Sequence, residues 1–168
     1  MHVTHNQEEA MMLGDRICLM QNGSIMQVGT GNDIFKKPES DFAANFFGAC
    51  NIYNGISKIK DGVSIIEIDG CRIRSTVLKE GHITCSIRPE DTVISTNHCN
   101  PDANNFSTGN FFKGKIEKIV NRGVIVQVYI DASIPIINYT LGKSFNQMDI
   151  KAGDKVNVGF EENDVHIV

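Results

Sequence analysis

The chain has 168 residues, a length that allows one ordinary domain or two small ones. Its composition, with 41% hydrophobic and 21% charged residues, is typical of a soluble globular protein. The formal net charge of −4 provides no chain-wide positive field, so we expect no nucleic-acid partner. No apolar run approaches the roughly 20 residues that span a bilayer, and no secretory signal is present, which predicts a cytoplasmic protein.

The first 48 residues predict a short α/β segment. Thr4 or Asn6 can cap a helix whose first turn carries two glutamates. Two apolar runs around Asn22-Gly23 predict a hairpin, because both residues tolerate positive φ. Two short helices are expected between residues 31 and 47, the first ending near Pro38 and the second carrying an apolar side of Phe42, Phe46 and Phe47.

After Cys50 the pattern changes to short alternating strands. Asp61-Gly62 and Asp69-Gly70 predict hairpin turns, and a further strand pair is expected around Arg88-Pro89. Residues 96–110 are polar and rich in turn formers, which indicates a connecting loop. A second β set follows, interrupted by a short helix within residues 141–150. Strands this short usually close into barrels, which removes their exposed edges.

The two β sets share a weak internal echo. NIYNGISKI, from Asn51, and NFFKGKIEKI, from Asn110, each have an asparagine, an aromatic residue, a glycine and an apolar strand at matching spacing. The echo indicates two related halves or two similar barrel entries, and we favour related segments that fold together.

The cysteines and arginines point to no further chemistry. The five cysteines are odd in number and form no CxxC pair, so we expect reduced thiols and no disulfide framework. No metal site is predicted at His98-Cys99, because adjacent side chains rarely converge on one tetrahedral metal. Arg72, Arg74 and Arg88 are expected at the surface or at a hinge.

Residues 3–10 (VTHNQEEA), 14–17 (GDRI), 20–25 (MQNGSI), 27–29 (QVG) and 34–38 (IFKKP) resemble the last part of the nucleotide-binding domain of ABC importer ATPases. The resemblance implies that the chain is the C-terminal portion of such an ATPase and begins at its switch-histidine loop. His5 matches the switch histidine, which contacts the γ-phosphate; the alternative is that His5 only caps or pairs locally. Asn6 stands where the family usually has aspartate.

The phosphate-binding parts of that ATPase have no counterpart in this sequence. It contains no GxxxxGK[ST] loop, no LSGG-like signature and no hydrophobic strand that ends in Asp-Glu. We therefore expect no catalytic residue and no cofactor in this chain by itself, and no ATP hydrolysis. ATP and magnesium would be cofactors of the full-length parent.

From Asn51 onward the chain resembles the TOBE regulatory domain that follows these ATPases. Residues 86–91 (SIRPED) match its usual SxRPED segment, and residues 107–167 resemble the molybdate-binding variety. The resemblance implies a mainly β fold: an OB-like β-barrel over residues 49–168, preceded by a remnant of the nucleotide-binding domain over residues 1–48.

In that family the tetrahedral oxyanion is bound between barrels by backbone amides and small hydroxyl side chains. Six residues match the motif: Ser107, Gly109, Asn110, Thr140, Lys143 and Ser144. Thr108-Gly109 replaces the family's usual Ala-Arg before Asn110. Ordinary turn chemistry is the alternative reading, because serine, threonine, glycine and asparagine favour loops without any ligand.

The resemblance implies a regulatory and dimerisation module of a molybdate or tungstate importer ATPase, which senses the cytoplasmic oxyanion. Its partners would be a second copy, the oxyanion and the transmembrane permease subunit, and it would lie at the inner face of the cell membrane. Two alternatives stay open: a regulatory domain of a sugar, polyamine or iron importer without oxyanion binding, and a stand-alone oxyanion-storage protein.

Overall fold

The computed structural model describes residues 1–36, 38–46, 51–96 and 109–167. They belong to two compact units, Met1–Cys50 and Asn51–Ile167. The assignment of the first unit to a nucleotide-binding domain stays a prediction. Within the described ranges, no helix has both the length and the apolar character needed to cross a membrane.

The first unit contains helix α1 (Gln7–Leu13), a hairpin of β1 (Ile17–Gln21) and β2 (Ser24–Gly29), and helices α2 (Gly31–Lys36) and α3 (Asp41–Phe46). Asn6 caps α1 by accepting a hydrogen bond from the Glu9 amide at 3.2 Å. Asn22-Gly23 forms the hairpin turn with φ values of 50° and 81°, as predicted. Ile34 is fully buried in a small core that Phe42 and Phe46 flank, whereas Phe47 lies outside the described residues.

The second unit is built from two antiparallel five-stranded sheets. The first has the order β12-β6-β3-β4-β5 and the second the order β10-β9-β8-β11-β7. The strands are β3 (Asn51–Lys60), β4 (Val63–Ile68), β5 (Cys71–Ser75), β6 (Gly81–Ile87), β7 (Val93–Thr96), β8 (Gly109–Asn121), β9 (Ile125–Ala132), β10 (Ile134–Leu141), β11 (Lys155–Glu161) and β12 (His166–Ile167). Helix α4 (Gly142–Met148) follows β10, as the sequence predicted.

The predicted hairpin turns are confirmed, but the strand pair expected around Arg88-Pro89 is wrong. Asp61-Gly62 and Asp69-Gly70 join β3 to β4 and β4 to β5, with both residues of each turn at positive φ. β6 and β7, on either side of Arg88-Pro89, pair with β3 and β11 instead of with each other. A 3-10 turn over Pro89–Asp91 interrupts the extended backbone between β6 and β7. The chain passes from one sheet to the other at this turn.

The two halves of this unit repeat each other, as the sequence echo indicated. Strands β3 to β6 correspond to β8 to β11, and each half is followed by a 3-10 turn and a last strand that joins the other half's sheet. Gly55 in β3 and Gly114 in β8 are also equivalent. A Cβ atom added at Gly55 would lie 2.6 Å from the Glu67 carbonyl oxygen, and one added at Gly114 would lie 2.6 Å from Ile130 Cγ2.

One apolar core fills the space between the sheets of the second unit, and it includes Ile66, Ile73, Ile116 and Val128. Burial raises the pKa of the Cys85 thiol in this core to about 12. Burial also raises the pKa of Tyr53, whose hydroxyl donates to the Pro135 carbonyl oxygen at 2.7 Å. Both groups are therefore protonated at neutral pH, and Cys85 is an inert core residue.

Candidate functional site

His5, the matched switch histidine, is exposed and lies immediately before α1. The Thr4 hydroxyl donates to Glu9 Oε2 at 2.5 Å, and this hydrogen bond, followed by the nearby His2 and His5, lowers the pKa of the Glu9 carboxyl. The segment around His5 is thus held by local hydrogen bonds at the start of the helix. A contact of His5 with a γ-phosphate stays a prediction.

Gly109 and Asn110 of the predicted oxyanion site lie at the start of β8, whereas Ser107 lies outside the described residues. Asn110 is buried, and its side-chain amide bonds the backbone of Arg74 in β5 in both directions. Oδ1 accepts from the Arg74 amide at 2.6 Å, and Nδ2 donates to the Arg74 carbonyl oxygen at 3.0 Å. These two bonds leave one Nδ2 hydrogen for any further acceptor.

Asn51 makes the equivalent pair of hydrogen bonds in the other half. It accepts from the Ile137 amide at 2.7 Å and donates to the Ile137 carbonyl oxygen at 2.8 Å. We call each of these two-bond contacts a clasp: Asn51 on β10 and Asn110 on β5. The sequence analysis assigned no role to Asn51, although the echo between the two β sets contains the signal.

Thr140 belongs to a polar network near the end of β10. Its hydroxyl donates to Asn138 Oδ1 at 2.6 Å, and Asn138 Nδ2 donates to the Thr92 carbonyl oxygen at 2.7 Å. Thr92 in turn donates to the Pro89 carbonyl oxygen at 2.8 Å. Because Asn138 uses its only hydroxyl hydrogen, the side chain of Thr140 in this arrangement has no hydrogen left to donate to an anion.

Lys143 and Ser144 lie in the first turn of α4, where Lys143 is exposed and Ser144 is half-buried. The Gly142 amide donates to the Val124 carbonyl oxygen at 2.9 Å, which ties the start of α4 to the β8–β9 turn. Val124 and Leu141 beside this contact are 76% and 59% exposed. The start of α4 thus carries an exposed lysine and is preceded by an exposed apolar residue.

The strand register separates these two groups of candidate residues within one chain. Thr140 lies opposite Val126 in β9, and Val126 lies opposite Asn121, the last residue of β8. Asn110 and Asn121 are 11 residues apart on β8, a separation of about 35 Å along an extended strand. Along the sheet, Gly109 and Asn110 thus lie at the opposite end from Lys143 and Ser144.

The three arginines have different environments. Arg72 pairs with Glu67 at 3.3 Å and Arg74 with Glu162 at 2.5 Å, and both guanidinium groups are at least half exposed, as predicted for surface residues. Arg88 is buried, and it lies where the chain passes from β6 into the 3-10 turn. Its burial does not fit a surface position, and a hinge role for Arg88 stays a prediction. His98-Cys99 lies outside the described residues.

Residues 107–167 match the TOBE domain family. The chain is similar to the molybdate/tungstate import ATP-binding protein WtpC of Pyrococcus horikoshii, with 31% identity over 167 residues that cover 99% of this chain and 46% of WtpC. It is similarly related to the spermidine/putrescine import ATP-binding protein PotA of Spiroplasma citri, with 32% identity over 170 residues that cover 99% of this chain and 44% of PotA.

A solved structure shares the fold. The cytoplasmic molybdate-binding protein ModG, with molybdate bound, superimposes with a TM-score of 0.58 and 14% identity over 71% of this chain and 95% of that chain. The mainly β, OB-like barrel fold expected from the sequence is thereby confirmed.

The barrel is of the class found in TOBE domains. Over 99% of its length the chain is similar to part of two import ATP-binding proteins. It spans a little under half the length of the curated relatives that it matches.

Proposed function

We propose that this chain is the regulatory portion of an ABC importer ATPase and binds molybdate or tungstate between two copies. The observation that carries the proposal is its relationship, over 99% of its length, to a molybdate/tungstate import ATP-binding protein. The fold shared with molybdate-bound ModG and the six matched motif residues add support.

The distribution of the candidate residues supports a site that two copies complete. Within one chain the register places Gly109 and Asn110 far along the sheet from Lys143 and Ser144. If two copies lie head to tail, the loop end of β8 in one copy faces the start of α4 in the other. A dianion there would receive neutral donors from one copy and the Lys143 ammonium from its partner.

Such a site supplies a way to control transport. An oxyanion that contacts both copies stabilises only the arrangement in which the copies lie together. The attached ATPase domains are then biased toward the spacing which that arrangement permits, and uptake slows when the oxyanion is plentiful. In this proposal the parent protein works in the cytoplasm beneath a membrane permease, and ATP hydrolysis requires the part of the parent that this chain lacks.

The proposal predicts saturable binding of molybdate and tungstate, but not of sulfate, in calorimetric titration of the whole chain. Lys143→Ala should weaken the binding about tenfold, because it removes the one cation among the candidate residues. Lys79→Ala is the matched control: Lys79 is also exposed, but it lies between β5 and β6, and its loss should leave the affinity unchanged. Equal heats for sulfate, or no binding by a folded chain, would contradict the proposal.

A polyamine-importer regulatory domain is the second candidate, since the sequence identity to PotA, 32%, is as high as the 31% identity to WtpC. Such a domain would not bind oxyanions. Titration with spermidine in the same series separates the candidates, because a cationic ligand gains nothing from Lys143. Spermidine binding without molybdate binding would favour the polyamine reading.

A further inference from the structure

A cleft of about 600 Å³ lies on the outer face of β3, β4 and β5, beside the start of β8. Its lining combines four basic residues, two acidic residues and an apolar floor. The basic residues are Lys58, Lys60, Arg72 and Arg74, and the apolar side chains are Ile56, Val63, Ile65 and Phe111. The strand register places Lys58 opposite Ile65, and Ile65 opposite Arg74, so cationic and apolar side chains alternate across the face.

The charge in this cleft is only partly neutralised. Arg72 is paired with Glu67, and Arg74 with Glu162. In the described part of the chain, no carboxylate lies within 4.0 Å of the ammonium group of Lys58 or Lys60. These two lysines are on the same face of β3, two residues and therefore about 7 Å apart along the strand. A chain with a net charge of −4 thus concentrates positive charge at one place.

The apolar part of the cleft is partly exposed to solvent. Ile56 is 47% exposed and Phe111 is 37% exposed, although both lie beside well-packed strands. Phe111 follows Asn110, and the clasp of Asn110 on Arg74 fixes the start of β8 against β5. An aromatic ring is therefore held at the wall of a basic cleft, where a flat apolar group can stack on it.

The second half of the unit does not repeat this arrangement. Arg74 and Ile137 are equivalent, because each is the residue whose backbone an asparagine clasps. Ile137 supplies no charge at the matching position. The cleft is consequently a property of the first half, which lies outside the matched TOBE residues 107–167 except for its β8 wall.

We propose that this cleft binds an organic polyanion with a flat apolar ring, the chemical class to which nucleoside phosphates belong. Its volume falls within the range of about 300–1,000 Å³ that is usual for small-molecule sites. The phosphates would bind Lys58 and Lys60, and the base would lie against Phe111 and Ile65. The cleft shares Gly109 and Asn110 with the proposed oxyanion site, but it needs neither Lys143 nor a second copy.

The test is calorimetric titration of the whole chain with ADP, and with inorganic pyrophosphate and adenosine as partial ligands. ADP should bind saturably, and both partial ligands should bind at least about tenfold more weakly, because each makes only one kind of contact. The double variant Lys58→Ala/Lys60→Ala should weaken ADP about tenfold or more. Phe111→Leu should weaken ADP but leave pyrophosphate unchanged.

Two controls make the result specific. Lys151→Ala/Lys155→Ala removes the same charge from exposed positions outside the cleft and should leave ADP affinity unchanged. Lys143→Ala should also leave ADP affinity unchanged, so failure of the oxyanion proposal and failure of this one are distinguishable. Pyrophosphate that binds as tightly as ADP, or ADP affinity that survives loss of both lysines, would overturn the inference.

Discussion

Asn51 and Asn110 occupy equivalent positions in the two halves of the second unit, and each bonds one backbone residue of the opposite half in both directions. An asparagine suits this position because its amide has a donor and an acceptor side by side, which match the N–H and C=O of one extended residue. Asn110 therefore has a structural role whether or not an oxyanion binds nearby.

Loss of either clasp should destabilise the fold. Asn51→Ala or Asn110→Ala leaves a backbone N–H and C=O without their partners, and we expect each change to lower the free energy of unfolding by about 1–3 kcal/mol. Urea unfolding of the whole chain, followed by circular dichroism, measures this. Asn146→Ala, at an exposed position in α4, is the matched control and should change stability by less than about 0.5 kcal/mol. A control effect as large as that of the clasp variants would refute the structural role.

At the residue scale, the sequence predicted residue types better than it predicted roles. Thr140 and Asn110 were predicted as anion ligands from a motif, but Thr140 bonds Asn138, which lies two residues earlier in β10 and outside the motif, and Asn110 bonds Arg74, which is 36 residues away. Local sequence cannot show the contact of Asn110 with Arg74, because the two residues belong to different sheets and are brought close only by the packing of those sheets. The oxyanion role of the six matched residues stays a prediction.

At the scale of the elements, the two long strands β3 and β8 each pass very close to their hairpin partners, β4 and β9. The partner strand lies so close that no side chain fits at Gly55 or Gly114. Each repeat thus requires a glycine because the neighbouring strand approaches closely. The sequence spacing between the clasping asparagine and this glycine is the same in both halves.

Gly55→Ala and Gly114→Ala should each destabilise the second unit by about 1–3 kcal/mol, because the new methyl group would overlap backbone or packed side-chain atoms. Gly142→Ala provides the contrast. Its Cβ would lie no nearer than 3.4 Å to the atoms around it, and alanine favours the helix that begins there. Thermal unfolding compares the three variants. Wild-type stability of both Gly55→Ala and Gly114→Ala would contradict the need for close approach of the paired strands.

The hairpins and the short helices were predictable because their signals are local. Asn-Gly and Asp-Gly pairs set the φ values of a tight turn directly. The exchange of β7 and β12 between the two sheets was not predictable in this way, because Arg88-Pro89 indicates a turn without indicating which sheet receives the next strand. The sheet that β7 or β12 joins depends on how the two sheets pack around their shared core.

At the scale of the whole molecule, the two proposed ligand sites depend on different features. The nucleoside-phosphate cleft lies within the outer face of one half of a single chain. The oxyanion site needs candidate residues that one chain holds far apart along its sheet, and it therefore depends on a second copy. This dependence on a second copy is the central claim of the proposed function, because in that proposal it would link ligand binding to the arrangement of two ATPase domains.

A complementation titration tests that claim most directly. Ser107→Asp and Lys143→Glu each place a negative charge in one half of every shared site, so either variant alone should bind no molybdate. In an equimolar mixture, about half of the dimers contain one copy of each variant, and one of the two sites in such a dimer has both of its halves intact. Calorimetry of the mixture should therefore recover about a quarter of the wild-type number of sites. No recovery on mixing, in chains that are folded and dimeric by light scattering, would contradict a site shared between two copies.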